Sequence, residues 1–478
     1  MNDTATDDPR PSLLCDRAFW GLNLTQFLGA FNDNLFKQLV LLLCVDRALE
    51  GGRDVQGLAM FLFAWPFIAF SGFAGFLSDR FSKRTIIVLC KVAELGIVLL
   101  GLIGFVTGSL SALLGVLCLM GVHSAFFGPS KYGILPELLR APDLPRANGF
   151  MLMATFLAII FGLAAAGAAK QMFAGSLWLA SLPCLVVALV GVVTSLLIRP
   201  TAIAEPHLKF NWSSVALAPD TRALLKRDRK LLGVLLMSSV FWFVGGTVYP
   251  PAINAFGKQQ LHLDDLATGA MAASTGLGIA VGCVLAGILS KDRVRGWLVR
   301  VGAWGLTLSL AALCLPGPGF DDVRDETRQN KRTRQTSISD KASSNDASLK
   351  TTDVATESGL PVTETATPKV NLFRRGSLLG PYSVVALIAV GLFAGFFSVP
   401  LQVYLQASAP SDQKGRIIGA FNLLNWIGIA GSAGVYALGR ALLVDWFELP
   451  HASLFGFAAV LMLPVALFYR PPEVQIQS

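Results

Sequence analysis

Residues 31–37 read Phe-Asn-Asp-Asn-Leu-Phe-Lys and lie inside an apolar run from Phe19 to Val45. The run is long enough to cross a bilayer as a helix, which needs about 20 residues. Asp33 stands near its middle, where a carboxylate costs several kcal/mol unless it faces a partner or a wet cavity. Lys37 follows one turn later, so both charges share a helix face within reach of each other. With Asn32 and Asn34 beside them, they predict a substrate or coupling site; the alternative is a self-neutralising pair that only holds helices together.

The composition is that of a membrane protein. Of 478 residues, 53% are hydrophobic and 15% are charged, against about 25% charged in soluble domains. The formal charge of +8 comes from short basic loops beside apolar segments, with no basic patch among aromatics, so nucleic acid is not an expected partner. The 7 cysteines are scattered without a C-x-x-C pair, which predicts small buried side chains and no disulfide framework or metal site.

Apolar segments recur along the chain and predict an all-α membrane protein with twelve transmembrane helices. The first follows an acidic tail and lacks the pattern of a secretory signal, so we expect it to be retained. The predicted spans are 19–45, 56–78, 85–106, 109–131, 148–170, 175–198, 231–256, 266–289, 297–315, 381–406, 417–439 and 451–469. The predicted organisation is a tail (1–18), a first six-helix half (19–198), a linker (199–230), a second half (231–469) and a tail (470–478).

Residues 321–375 interrupt the second half with a polar insert rich in Ser, Thr, Asp and Lys. They offer too little apolar surface to fold alone, so we predict that the insert is disordered. Lys and Arg number 22 in the segments on the side of the two tails and the linker, and 5 in the short loops opposite. The excess predicts that both termini and the linker are cytoplasmic and that the insert is outside.

Related motifs occur in the two halves. Residues 75–80, GFLSDR, are echoed by residues 287–293, GILSKDR. Two phenylalanines, a proline and an asparagine follow one another at 126–148 and again at 396–422. Such a repeat implies a pseudo-twofold axis along the membrane normal, with the site between the halves.

Residues 75–84, GFLSDRFSKR, resemble the signature loop between helices two and three of the major facilitator superfamily. Gly75 permits close helix contact, and Asp79 is expected to cap or pair across the cytoplasmic gate. Arg80, Lys83 and Arg84 are expected in the headgroup region, where the positive-inside tendency alone would also put them. The usual second glycine of this motif is Ser82 here.

Three further stretches resemble the bacterial lysophospholipid transporter family: FNDNLFK at 31–37, FGPSKYGILPE at 127–137, and 399–425 with VPLQ and GRIIGAFNLLN. Members of that family flip lysophospholipids inward across the inner membrane. The resemblance therefore implies lysophospholipid transport in a bacterial inner membrane, with a functionally coupled acyltransferase/acyl-carrier-protein synthetase as a partner. Asp33 is the site residue that the resemblance carries over. A substrate-binding arginine expected in span seven has no counterpart here.

Other polar residues inside the spans join the candidate site. Lys91 and Glu94 are three apart and could instead form an internal salt bridge; His123 could pack as a neutral side chain. Lys131 could snorkel to the interface, and the amides could bond neighbouring helices. The predicted substrate or coupling residues are Asn32, Asp33, Asn34, Lys37, Lys91, Glu94, His123, Lys131, Gln402, Asn422 and Asn425.

The two halves differ in charge. Spans seven, eight, ten and eleven carry no ionisable residue before the flanking Arg416 and Arg440. We therefore predict that a zwitterionic headgroup rests against the first half while an acyl chain lies along aromatic residues of the second. In the alternative, these aromatics face lipid. The predicted acyl-chain surface is Phe241, Trp242, Phe243, Phe393, Phe396 and Phe397.

The predicted function is secondary transport of lysophospholipids by alternating access, with membrane lipids around the protein and no cofactor. No phosphate-binding G-x-x-x-x-G-K-[ST] loop is present, so direct use of ATP is not expected. An acyltransferase H-x-x-x-x-D pattern fails at all 4 histidines. Two alternatives stay open: a carrier for another amphiphile or small molecule, and a membrane enzyme or transporter-like sensor.

Overall fold

The structure is a computed structural model that describes residues 10–49, 55–173, 176–210, 212, 217–261, 263, 265–290, 293–314 and 379–475. The predicted insert, 321–375, lies outside the described residues.

Twelve long helices dominate the described part of the chain. Ten contain a stretch long and apolar enough to cross a membrane; the others are α1, with 33 residues, and α12, with 16. Their order confirms the predicted all-α membrane fold. Their bounds are α1 Arg17–Leu49, α2 Gln56–Arg80, α3 Lys83–Val106, α4 Leu110–Gly133, α5 Leu144–Met172, α6 Leu177–Leu196, α7 Arg229–Thr247, α8 Asp265–Ser290, α9 Gly296–Cys314, α10 Leu379–Ser408, α11 Lys414–Gly439 and α12 Ser453–Phe468.

Short elements join the long helices. A linker helix, Pro219–Arg227, precedes α7, and strands β1 (Arg293–Val294) and β2 (Val474–Gln475) pair antiparallel. The remaining short elements are 3₁₀ turns at Leu13–Cys15 and Ala141–Asp143, α-turns at Leu135–Leu138 and Ile253–Ala255, and π-helical segments at Val248–Ala252, Phe256–Gln260 and Arg440–Trp446.

The predicted span 231–256 is not one regular helix. Its α-helix ends at Thr247, and wider π-helical turns follow. Pro250 and Pro251 explain the change, because neither has an amide hydrogen for the α-helical ladder. Such single wide turns are a known way to absorb an interruption in a helix.

Two seams join the first six helices to the last six: α2 packs against α11, and α5 packs against α8. Both seams are tight at the end of the bundle that carries the linker, here called the linker side. A methyl group on Gly75 would lie 2.7 Å from the Gly415 carbonyl oxygen, and one on Gly287 would lie 2.9 Å from that of Pro145. Glycine thus permits close contact in both seams, and the described structure is closed on the linker side.

Candidate functional site

A cavity of about 290 Å³ lies between the two sets of helices. Its wall combines side chains of α1 to α5 with side chains of α7, α10 and α11. The structure brings ten of the eleven predicted site residues to this central cavity, and only Asn32 stands behind its wall. The ten are Asp33, Asn34, Lys37, Lys91, Glu94, His123, Lys131, Gln402, Asn422 and Asn425.

Asp33 lines the cavity, and one of its two carboxylate oxygens has a hydrogen-bond partner. Ser124 on α4 donates a hydrogen bond to Asp33 Oδ2 at 2.6 Å. Asp33 Oδ1 is buried and has no hydrogen-bond partner among the described residues. Because an unsatisfied buried oxygen is costly, this atom is suited to accept a bond from a bound molecule or water.

Lys37 does not form the expected ion pair with Asp33. Its ammonium donates to Asn34 Oδ1 at 3.0 Å and lies 4.8 Å from the centre of the Phe63 ring. Asn34 in turn donates to the Ala30 carbonyl at 2.8 Å. The two charges share one face of α1, but local contacts and Ser124 hold them apart. Within the described chain, Lys37 therefore faces the cavity without a carboxylate partner.

Glu94 is the centre of a fully buried network behind Asp33. It pairs with Lys91 on its own helix and accepts a hydrogen bond from Asn32 Nδ2 at 2.8 Å. His123 Nε2 lies 3.4 Å from Glu94 Oε2, and its Nδ1 lies 2.7 Å from the Met120 carbonyl oxygen. Since both ring nitrogens face acceptors, a charged imidazolium satisfies this geometry best. The network thus supports the internal salt bridge for Lys91 and Glu94.

Two glycines make room for the Lys91 side chain. A methyl group on Gly191 of α6 would lie 2.6 Å from Lys91 Cε, and one on Gly29 of α1 would lie 3.1 Å from its Nζ. Larger residues there would displace the ammonium from Glu94. The packing of three helices therefore fixes this buried pair.

Lys131 lines the cavity near its linker side. Its ammonium lies 5.4 Å from the centre of the Phe127 ring and 5.0 Å from that of Tyr132. No carboxylate among the described residues pairs with it. Lys131 is thus a second cation, after Lys37, that faces the cavity without an ionic partner.

The opposite wall is polar but uncharged. Gln402 and Asn425 are buried, and Gln402 Nε2 and Asn425 Oδ1 have no partner among the described residues. Asn422 reaches across to α4, where a methyl group on Gly128 would lie 2.6 Å from its Nδ2. No described residue of the second half that lines the cavity is ionisable. The predicted asymmetry in charge is therefore present in the cavity wall.

The linker side of the α2–α11 seam centres on Asp79. Its buried carboxylate accepts hydrogen bonds from Gly415 N at 2.6 Å, and from Arg416 N and Nε at 3.0 Å each. Arg416 also bonds Asp220 of the linker helix, and Glu205 N donates to the Asp79 carbonyl at 2.9 Å. The Asp79 carboxylate thus joins the two halves, and the linker contacts the Asp79 backbone and the Arg416 side chain.

The three basic residues of this loop have different surroundings. Arg80 donates to the Leu208 carbonyl of the linker, and Arg84 Nε donates to the Ile198 carbonyl at 2.7 Å. Lys83 is fully buried and pairs with Glu137 at 2.6 Å. Lys83 thus differs from Arg80 and Arg84, because its ammonium is buried against Glu137 inside the protein.

The comparisons with known proteins agree with this architecture. The Major Facilitator Superfamily pattern matches residues 22–323, more than half of the chain. The chain belongs to the major facilitator superfamily. The human organic anion transporter MFSD10 (TETRAN) superposes with a TM-score of 0.65 at 14% identity, over 94% of this chain and 98% of that one. The proton:xylose symporter XylE superposes with a TM-score of 0.63 at 13% identity, over 96% of this chain and 97% of that one. These likenesses show the fold.

Sequence relatives of this major facilitator protein carry a more specific name. The lysophospholipid transporter LplT of Enterobacter sp. (strain 638) is 29% identical over 318 residues, which are 64% of this chain and 76% of that protein. LplT of Escherichia coli O1:K1 / APEC is 31% identical over 233 residues, which are 47% and 54%. The matched part thus spans about half the length of the second relative. The resemblance to the lysophospholipid transporter family is confirmed.

The predicted acyl-chain surface of this facilitator is not one surface. Only Trp242 lines the central cavity, and Trp242 and Phe241 line a second, apolar cavity. Phe397 is fully buried and stacks on Phe241 at 5.6 Å. The others pack elsewhere: Phe393 lies over Gly305 of α9 and edge-on to Phe396, and Phe243 packs beside Gly428 of α11. Phe243, Phe393, Phe396 and Phe397 therefore pack in contacts between helices, which the spacing of residues in the sequence does not reveal.

Several contacts of this site were not predicted. Ser124 directly follows His123 in an apolar helix, and that polar neighbour was an available signal. Gly191 and Asp220 carried no signal, because their importance depends on side chains distant in sequence. Trp426 stacks on Phe67 at 4.0 Å across the α2–α11 seam, and it adjoins the predicted Asn425. Most of the residues that were not predicted contact a predicted residue and hold its side chain in place.

Proposed function

We propose that this protein moves lysophospholipids across a bacterial inner membrane by alternating access between its two halves. The observation that carries the proposal is the charge on the first-half wall of the cavity. Asp33, Lys37 and Lys131 face the cavity without a partner of opposite charge among the described residues. Charges kept at this depth without partners are costly, which argues for a bound group that completes them.

A phosphate-containing headgroup complements these charges. Its phosphate is the natural partner of the two lysines, and an ammonium or hydroxyl group can donate to Asp33 Oδ1. On the opposite wall, Gln402 Nε2 can donate to a phosphate or ester oxygen, and Asn425 Oδ1 can accept from a glycerol hydroxyl. Such charge-assisted bonds are worth about 1.5–3 kcal/mol each.

The uncharged second wall favours an amphiphile over a wholly polar solute. A solute charged on all sides would find amides and hydroxyls on this wall but no ionic partner, and part of it would lie against Trp242, Phe421 and Trp426. A lysophospholipid has one polar end and one apolar chain, which matches a wall charged on one side only. The name of the sequence relatives supports the same substrate class.

The proposed orientation places the linker side in the cytoplasm, following the excess of Lys and Arg there. The described structure is then closed toward the cytoplasm by Asp79 and Arg416. Inward movement would deliver a lysophospholipid whose free hydroxyl is ready for acylation. The class of partner that fits is therefore the acyltransferase/acyl-carrier-protein synthetase that the resemblance implies.

Labelled lysophosphatidylethanolamine in proteoliposomes tests the proposal. We expect the wild-type protein to flip it and Asp33→Asn to abolish the activity, because the variant loses the unpaired carboxylate. Asp46→Asn is the matched control on the same helix, since Asp46 pairs with Lys170 at 2.6 Å outside the cavity. No flipping by the wild type, with flipping of another amphiphile, would identify a different substrate. Full activity of Asp33→Asn would overturn the role of the cavity.

A further inference from the structure

A second cavity of about 200 Å³ lies among helices of the second half, beside the central cavity. Its described lining is hydrocarbon, glycine and Met462, apart from Thr275 and the indole of Trp242. The wall combines Phe156 of α5 with residues of α7 to α12. It includes Val244, Ile279, Leu306, Leu310, Val390 and Ala394. The space is therefore suited to hydrocarbon and poorly suited to water, which needs polar partners.

The two cavities share a wall of side chains. Trp242 and Ile429 line both of them. The Trp242 ring is half-buried and stacks on Phe156, with centroids 6.1 Å apart and planes at 13°. Because the same two residues line both cavities, a change in the Trp242 side-chain rotamer is the smallest movement that would connect them.

We infer that the second cavity receives the hydrocarbon chain of the molecule whose headgroup lies in the central cavity. This inference rests on the proposed function and adds a place for the chain that differs from the predicted aromatic surface. The shared wall makes a single-chain amphiphile the occupant. Its polar end would meet Asp33 and Lys131 while its chain passes Trp242.

Moving hydrocarbon from lipid into an apolar cavity yields little free energy, because both surroundings are apolar. The role of the cavity is consequently selection and shielding rather than tight binding. A chain held there stays out of the charged central cavity while the halves rearrange. The competing interpretation is an empty packing void, which an apolar lining also permits.

Gly245 of α7 offers a direct test. It lines the second cavity, and a methyl group added to it would meet no atom within 4 Å, so a larger side chain can enter without a clash. Gly233 on the same helix is equally uncrowded and lines neither cavity, so it is the matched control. We compare Gly245→Leu and Gly233→Leu in the flip assay with palmitoyl and octanoyl lysophosphatidylethanolamine.

We expect Gly245→Leu to lower transport of the palmitoyl substrate by about tenfold or more relative to the octanoyl substrate, the size of effect that one excess group has in an apolar pocket. Gly233→Leu should keep the wild-type ratio. An unchanged ratio in an active Gly245→Leu protein would overturn the inference and indicate a packing void. If the wild-type protein transported neither substrate, the proposed function itself would be refuted.

Leu310→Ala keeps the test decisive where Gly245→Leu fails to fold. Leu310 lines the same cavity and is buried, so its truncation enlarges the space. We expect the chain-length preference to move toward longer chains, which is opposite to the effect of filling. An unchanged preference in this variant would also overturn the inference.

Discussion

The two walls of the central cavity present different chemistry to the same space. The wall from the first half carries Asp33, Lys37, Lys91, Glu94, His123 and Lys131, and the described wall from the second half carries amides, hydroxyls and rings. The halves share a helix order, so the difference lies in side chains rather than in fold. It shows that one half of a repeated architecture can specialise in charge while the other stays neutral.

The charged wall itself has two layers. Glu94 and Lys91 compensate each other at the edge of the cavity, and both are almost inaccessible, as is Asn32 behind them. Asp33 and Lys131 lie at the surface of the cavity without ionic partners. We interpret the inner layer as structural and the outer layer as the contact for the substrate. The two layers should therefore respond differently to substitution.

The largest effect should come from breaking the inner layer. Glu94→Gln leaves Lys91 as an uncompensated buried charge, which costs about 3–5 kcal/mol of the free energy of unfolding. The double variant Lys91→Met/Glu94→Leu should recover part of that loss, because the Lys91 charge is removed together with its partner, while His123 and Asn32 still lose their contact with Glu94. Thermal unfolding in detergent measures both. A single variant as stable as the wild type would contradict the structural role of this pair.

Substitutions in the outer layer should instead lower the rate of transport. Asp33 can accept from an ammonium group, whereas Lys131 faces a phosphate that all lysophospholipids share. Lys131→Gln should therefore lower transport of ethanolamine and glycerol headgroups alike, by about tenfold to a hundredfold for one lost charge-assisted bond of about 1.5–3 kcal/mol. Competition between the two substrates in proteoliposomes measures the preference. A change in preference without a loss in rate would contradict a phosphate contact.

Sequence alone was sufficient for the fold and for most of the cavity. Apolar runs set the helices, and polar residues within them, such as Asp33 and His123, pointed into a site because lipid does not tolerate them. Sequence was insufficient where a contact depended on neighbours distant in the chain. Lys37 contacts Asn34 and Phe63 rather than Asp33. Phe397 packs against Phe241 and does not reach the cavity.

The linker side extends the comparison from the cavity to the seams. Both seams are close packed through glycines, Gly75 and Gly415 in the α2–α11 seam and Gly149 and Gly287 in the α5–α8 seam. The α2–α11 seam also has hydrogen bonds to the Asp79 carboxylate. Asp220 adds a linker contact to Arg416 but is nearly half exposed, so its ion pair is worth at most about 1 kcal/mol. Charge should therefore control the opening of the first seam.

Asp79→Asn and Asp220→Asn test that difference. Both should increase the fraction of molecules open on the linker side, by about tenfold for Asp79 and no more than about fivefold for Asp220. Alkylation of a cysteine introduced at the buried Ser78, after removal of the native cysteines, measures opening. Equal rates in all three proteins would show that packing alone closes the seam.

The smallest effect on stability is expected at one of two glutamines that lie one turn apart on α10. Gln406 exchanges hydrogen bonds with Asn148 of α5 at 2.7 and 3.0 Å, and both side chains are fully buried. Gln402 is almost as buried, but it has no hydrogen-bond partner in the described chain and lines the cavity. Of these two identical side chains, Gln406 is part of the structural contact with Asn148, whereas Gln402 is available to a substrate.

Gln406→Met should lower the free energy of unfolding by about 1–3 kcal/mol, because Asn148 is left unsatisfied. Gln402→Met should change it by less than about 0.5 kcal/mol, since no internal bond is lost, and should still slow lysophospholipid flipping. Thermal unfolding and flipping by the same preparations give both values. If Gln402→Met were strongly destabilised, the amide would belong to the scaffold, and the neutral wall would have no role in binding. A stable Gln402→Met protein that transports more slowly would show that the uncharged half contacts the headgroup as well, so that the two walls differ in charge but act on one ligand.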